Sequence, residues 1–307
     1  MYEQFFGFRE KPFSLTPDTE YYYRYSGHQE AVDVLRVALR NGEGFVRVIG
    51  EVGTGKTLLC RQMLKVLQAD CETVYLPNPL LTPKELYQAI VSELKLTLSD
   101  TATVQQLNQD ILQELIRLRD RNRPLVILID EAQAMPFKTL EALRLLSNLE
   151  TEKEKLLHIF FFAQPEFEQR LEKHELRQLR QRITFSYALS AMTQAEVQGY
   201  LEHRLKTAGY VGTAIFQDAA TRLLYAASSG VPRIINLLAH KALLAAYGKG
   251  RSDVDASLME AAVADTVGDA RSGSTSAPWA SLQRVFLECG LILLVALVTV
   301  LVLRGYR

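Results

Sequence analysis

Apolar positions along this 307-residue chain fall into two regimes. Between residues 45 and 189, five short apolar runs (45–49, 73–77, 125–129, 159–163 and 183–189) alternate with segments of helical period. That alternation predicts a parallel sheet covered by helices on both faces. The third run, Leu125-Val126-Ile127-Leu128-Ile129, is wholly aliphatic, as a buried strand requires. A helix is predicted before the first run, where Ala31, Val32, Leu35 and Ala38 fall on one face between His28 and Arg40. From residue 193 the pattern changes. The stretches 193–207, 216–228, 232–247 and 253–266 are helical in period with no strand among them, which predicts a small all-helical domain.

The chain opens on a turn-rich aromatic stretch over residues 1–27, containing Phe5, Phe6, Phe8, Phe13 and Tyr21, too apolar for a free tail and expected to pack on the sheet domain. The expected organisation is an aromatic extension over 1–27, an α/β domain over 28–191, a helical lid over 192–267 and a Gly/Ser-rich linker over 268–283. Residues 285–303 contain one ionisable residue, Glu288. As a helix that span would measure about 28 Å against roughly 30 Å of hydrocarbon. It is apolar on every face, and the linker separates it from the preceding core. A transmembrane helix is therefore expected over 284–304, followed by a short tail at 305–307.

Composition narrows this only a little. Lysine plus arginine equals aspartate plus glutamate, 35 against 35, so no overall field draws the chain to nucleic acid. The three cysteines lack metal-ligand spacing and suit a reducing compartment. The start of the chain lacks the features of a secretory signal. The bulk of the chain is thus expected in the cytosol, on a single-pass anchor in the inner membrane.

The chemistry concentrates after the first run. Gly50-Glu51-Val52-Gly53-Thr54-Gly55-Lys56-Thr57 has the spacing of a phosphate-binding P-loop, between a predicted strand and a predicted helix. Glycines let successive backbone N–H groups face the phosphates, and the helix adds its positive end. Residues Gly50 to Leu58 are expected to hold ATP. Lys56 would reach its β- and γ-phosphates, and the Thr57 hydroxyl would ligate Mg²⁺. The aliphatic run ends in Asp130-Glu131. Asp130 suits the metal, and an adjacent Glu131 suits the activation of water, a pairing of hydrolases rather than kinases. Asp130 as a helix N-cap is the structural alternative. Gln164, at the end of the fourth run, is placed to touch the γ-phosphate or the water, unless it is an ordinary turn residue. Arg233 follows Pro232 at the start of a lid helix and would face the nucleotide. Among the crowded Arg170, Lys173, Arg177, Arg180 and Arg182, Arg182 and then Arg180 are candidates for an arginine finger offered to a neighbouring subunit. A solvated basic face would explain the rest.

Gly50–Thr57, Asp130-Glu131, Gln164 and Gly230–Arg233, together with a helical second domain, resemble the AAA+ ATPases. The opening Phe6-Gly7-Phe8-Arg9-Glu10-Lys11-Pro12-Phe13, with Asp130-Glu131-Ala132-Gln133 and Gln164-Pro165-Glu166, narrows the resemblance to the ExeA/GspA secretion ATPases, nearest to those of MSHA pilus biogenesis. It covers residues 1–267. It implies a five-stranded P-loop fold with a helical lid, ATP and Mg²⁺, homo-oligomerisation in the ATP state, and inner-membrane pilus or secretion proteins as partners. Longer members carry a peptidoglycan-binding domain after the membrane helix, so cell-wall binding is expected of a partner here. The competing reading is a DNA-remodelling or loading ATPase. The basic cluster favours it, while the zero net charge and the lack of a helix-turn-helix after residue 267 oppose it. A scaffold that barely hydrolyses ATP would require Glu131 to be dispensable.

Overall fold

The computed structural model describes residues 2–97, 99, 101–150 and 155–273. Its elements in chain order are α1 (Tyr2–Phe6), α2 (Ser26–Arg40), β1 (Phe45–Ile49), α3 (Lys56–Leu67), β2 (Glu72–Leu76), α4 (Pro83–Glu93) and α5 (Val104–Asp120). There follow β3 (Leu125–Ile129), α6 (Phe137–Leu146), β4 (Leu157–Ala163), α7 (Glu166–Leu171), α8 (Arg177–Arg182) and β5 (Ile183–Ala188). The last four are helices: α9 (Gln194–Thr207), α10 (Asp218–Ser228), α11 (Pro232–Gly248) and α12 (Ala256–Gly273). Local chemistry sets several of the boundaries. Thr82, Thr103 and Thr193 each close a capping box with the Glu or Gln three residues on, satisfying N–H groups that a helix start leaves unpaired.

The five strands are hydrogen-bonded in the order β2-β3-β4-β1-β5, every pair parallel. Burial on both faces explains the unbroken aliphatic run of β3. Leu125, Ile127 and Ile129 pack with Leu86, Ile111 and Leu143 on one side, and Val126 and Leu128 with Leu35, Leu59 and Met63 on the other. The Phe160–Phe162 run of β4 divides the same way, Phe161 to the first side, Phe160 and Phe162 to the second.

The aromatic opening does not complete the sheet domain. Tyr2, Phe6, Phe8, Phe13, Tyr21 and Tyr25 enter the core of the helical domain, with Val197, Leu201, Leu224, Ile235 and Leu243. Each helix there buries one stripe, and the aromatic rings fill what those stripes leave open. The Tyr2 hydroxyl lies 2.9 Å from His240 Nδ1, and the Phe5 and Tyr247 rings meet edge-on at 5.4 Å.

Two further expectations require revision. Helix α12 runs to Gly273, past Gly268, where the sequence suggested a linker. The transmembrane helix expected over 284–304 lies outside the described residues, and among these no helix is long and apolar enough to cross a membrane. Spanning the hydrocarbon takes about 20 predominantly apolar residues. The longest described helix, α12, has 18, with Glu260 and Asp265 among them. The fold is accordingly a P-loop parallel-sheet domain with a helical domain. Attachment to a lipid bilayer and the single-pass inner-membrane location rested on that helix, and both are withdrawn.

Candidate functional site

The phosphate loop joins β1 to α3 along the carboxyl ends of the strands. Gly53 and Gly55 hold φ of 86° and 95°, in the left-handed region that glycine adopts without a steric cost. Lys56, the first residue of α3, is buried, and its Nζ donates to the Gly50 and Glu51 carbonyls at 2.7 and 2.9 Å. Burial holds its pKa below the usual lysine range, while Glu131 and Asp130 pull the other way. The Thr57 hydroxyl donates to Asp130 Oδ2 at 2.6 Å, joining the helix start to the end of β3. Burial raises the Asp130 pKa, and the bond from Thr57 opposes that rise. Among the described residues no three His, Cys, Asp or Glu side chains gather to hold a metal. The Thr57 hydroxyl and the Asp130 carboxylate are oxygen donors side by side, which fits the preference of Mg²⁺ for oxygen ligands, and these two residues would be the protein's share in holding it.

Glu131 stands at φ 52°, ψ 38°, a left-handed conformation costing a side-chain-bearing residue about 1–3 kcal/mol. Its carboxylate Oε2 accepts from Gln133 Nε2 at 2.5 Å and from Gln164 Nε2 at 2.8 Å. The Gln164 backbone N–H in turn donates to Gln133 Oε1 at 3.0 Å. Two strand ends thus fix one carboxylate beside the phosphate loop. The sequence pointed to Glu131 and Gln164 but gave Gln133 no role, although it stands in the same Asp-Glu-Ala-Gln run.

Arg233 reaches the site through its backbone. Its N–H, left unpaired by the start of α11, donates to the Gly53 carbonyl at 3.2 Å. A Cβ on Gly53 would fall 2.7 Å from Arg233 Cβ. The turn that aims α11 depends on Gly230, at φ 74°, where a Cβ would lie 2.0 Å from the Met192 carbonyl oxygen. Gly230→Ala is therefore expected to destabilise the chain by at least about 2 kcal/mol and to displace Arg233, read as a lower urea midpoint. An unchanged midpoint would show that the turn relaxes without cost.

One cavity is lined by Gly53, Lys56 and Thr57 of the loop, by Glu131 and Gln164, and by Arg233. The sequence did not indicate its remaining wall, which comprises Ser14–Asp18 of the opening segment with Tyr200, Arg204 and Asn236 of the helical domain. Beneath the loop lies His28, 3% exposed, stacked on Tyr22 at 5.4 Å. Burial pushes its pKa down to about 4, partly offset by the neighbouring Thr54 and Tyr23 backbone. The finger candidates differ. Arg182 donates to the Arg144 carbonyl and to Ser147 Oγ at 3.2 and 2.8 Å. Arg180 is exposed, and no described residue pairs with it. Arg170 donates to the carbonyls of Gln133 and Met135.

Residues 39–171 match the sequence family described as AAA domain. General secretion pathway protein A of Aeromonas hydrophila is 42% identical over 250 residues, covering 81% of this chain. The chain spans about half (46%) of that relative's length. Among solved structures, the Aeropyrum pernix ORC2 protein in its ADPNP-ADP complexes aligns at TM-score 0.59 and 19% identity, over 80% of this chain and 71% of that one. The Aeropyrum pernix ORC1 protein in complex with DNA aligns at TM-score 0.58 and 19% identity, over 84% and 69%. At such identities the likeness to these structures is one of fold.

Proposed function

We propose, for a chain that carries an AAA+ ATPase domain homologous to general secretion pathway protein A, that it couples Mg-ATP hydrolysis to self-association in building a type IV-like pilus or secretion complex. The observation carrying this reading is the convergence on one cavity of Lys56, the Thr57–Asp130 pair, and Glu131 held by Gln133 and Gln164. Lys56 leaves the loop carbonyls for the β- and γ-phosphates. Bound Mg²⁺ supplies charge neutralisation across those phosphates. Glu131 accepts a proton from the attacking water, which Gln164 orients from the neighbouring strand. Arg233, at the start of α11, brings the helical domain into register with the γ-phosphate. Within the secretion and pilus relatives, the opening block Phe6–Asp18 favours the MSHA pilus biogenesis protein MshM, with type II secretion the second setting.

The DNA-loading alternative is weakened by the basic cluster itself. Arg170 and Arg182 are engaged by backbone and Ser147 acceptors within the chain. The same contacts shift the finger assignment from Arg182 to Arg180. The test is ATP turnover per chain measured against protein concentration. The specific rate is expected to climb, and Arg180→Ala to remove the climb with a loss of about 10³-fold at saturation. Arg182→Ala should lower thermal stability and keep the climb. A flat rate that Arg180→Ala leaves untouched would overturn the self-association reading.

A further inference from the structure

Arg204 on α9 is only 5% exposed, and no carboxylate among the described residues pairs with it. Burying a guanidinium without a counter-charge is costly unless its donors are otherwise satisfied. Here the acceptors belong to the chain's opening segment or to its supports. Nε donates to the Pro12 carbonyl at 2.5 Å, Nη2 to the Ser14 carbonyl at 3.4 Å, and Nη1 to the Tyr200 hydroxyl at 3.0 Å. The Tyr200 hydroxyl donates to Asn236 Oδ1 at 2.9 Å. The guanidinium also lies 4.6 Å from the Tyr21 ring and 5.9 Å from the Phe13 ring, the cation–π geometry that stabilises a desolvated arginine.

The far end of the same segment is tied to the P-loop helix. Arg61 Nη1 donates to the Pro17 carbonyl at 2.9 Å and Lys65 Nζ to Thr19 Oγ1 at 2.7 Å. Residues 12–19 thus form a strap fastened at one end to α9 and at the other to α3. Its middle, Ser14–Asp18, lines the cavity that Lys56 and Thr57 also line. Loop and helix start account for the phosphates. The strap, with Tyr200 and Asn236, is the wall left for the remainder of the nucleotide.

We propose that Arg204 is a positioning residue for the base and ribose. It fixes the strap as a cavity wall and so sets nucleotide affinity without touching the phosphates. This rests on the nucleotide reading above. The backbone carbonyls it grips are blind to side-chain identity at Pro12 and Ser14, so the information resides in Arg204 and in the hydroxyl of Tyr200.

The experiment compares the full chain with Arg204→Gln and with Tyr200→Phe, which keeps the ring and removes the hydroxyl. KM and kcat for ATP are measured alongside the affinity for inorganic tripolyphosphate, which has neither base nor ribose, both with Mg²⁺. Losing a hydrogen bond to a charged group predicts a KM for ATP raised about tenfold, with kcat and tripolyphosphate affinity unchanged. A parental KM in Tyr200→Phe, or a kcat that falls in step with a loss of tripolyphosphate binding, would overturn the proposal. Should Arg204→Gln not fold, Tyr200→Phe decides alone. A parent chain that binds neither ATP nor tripolyphosphate removes the nucleotide reading itself, whereas a parent that binds both beside unaffected variants removes only the role of Arg204.

Discussion

Glu131→Gln binds ATP with parental affinity and turns it over about 10²–10⁴-fold more slowly, the range that loss of a general base produces. Shape is kept, because Gln has the length of Glu and the left-handed backbone at residue 131 is retained. What goes is the negative oxygen to which Gln133 and Gln164 both donate. A neutral amide cannot take the proton of an attacking water. Phosphate release under saturating ATP, beside a direct binding titration, separates the two effects. A parental turnover rate would remove Glu131 from the mechanism, and a lost affinity would show that it holds nucleotide rather than water.

Lys56→Ala raises the dissociation constant for ATP by at least about 10-fold, and turnover becomes undetectable. Hydrogen bonds to charged groups contribute about 1.5–3 kcal/mol each, and the ammonium serves several phosphate oxygens at once. The buried setting strengthens the expectation. Lys56 already gives up part of its solvation and holds two loop carbonyls, so nucleotide replaces those acceptors without a further desolvation cost. Calorimetric titration with ATP and with ADP measures the loss. Equal affinity in parent and variant would mean that loop N–H groups alone hold the phosphates.

The parts of this molecule that repeat locally were legible in the sequence. Each of the five strands falls within two residues of a run of apolar side chains. Burial on both faces clears β3 of polar positions. The edge strands β2 and β5, only partly buried, keep Thr73, Thr184 and Ser186 and were still marked by their apolar neighbours. The P-loop and Asp130-Glu131 were legible for a related reason, since each places its chemistry in consecutive residues. The strap was not. Its wall of the cavity joins residues 14–18, 200–204 and 236, and no period or spacing encodes a meeting of three such distant segments. The aromatic opening was read as cover for the sheet because aromatic content gives burial and not address. Arg182 outranked Arg180 for a similar reason. The sequence shows a crowd of like charges, but only the packing of α8 against the end of α6 shows that Ser147 and the Arg144 carbonyl already occupy one of them.

The marriage of the chain's first residues to its late helices also sets a schedule. Tyr2 bonds to His240 across a separation of 238 residues. At roughly 5–20 residues per second, a ribosome needs about 10–50 s to deliver that partner. For most of that interval, until α9 is made, the rings of residues 2–25 have no helical core to enter, while the sheet between them can be completed from segments already made. The nascent chain is thus at its stickiest over residues 2–25 until α9 emerges, and relief is complete only with α11. Chaperone capture during synthesis should concentrate there, and slowing translation should lengthen it.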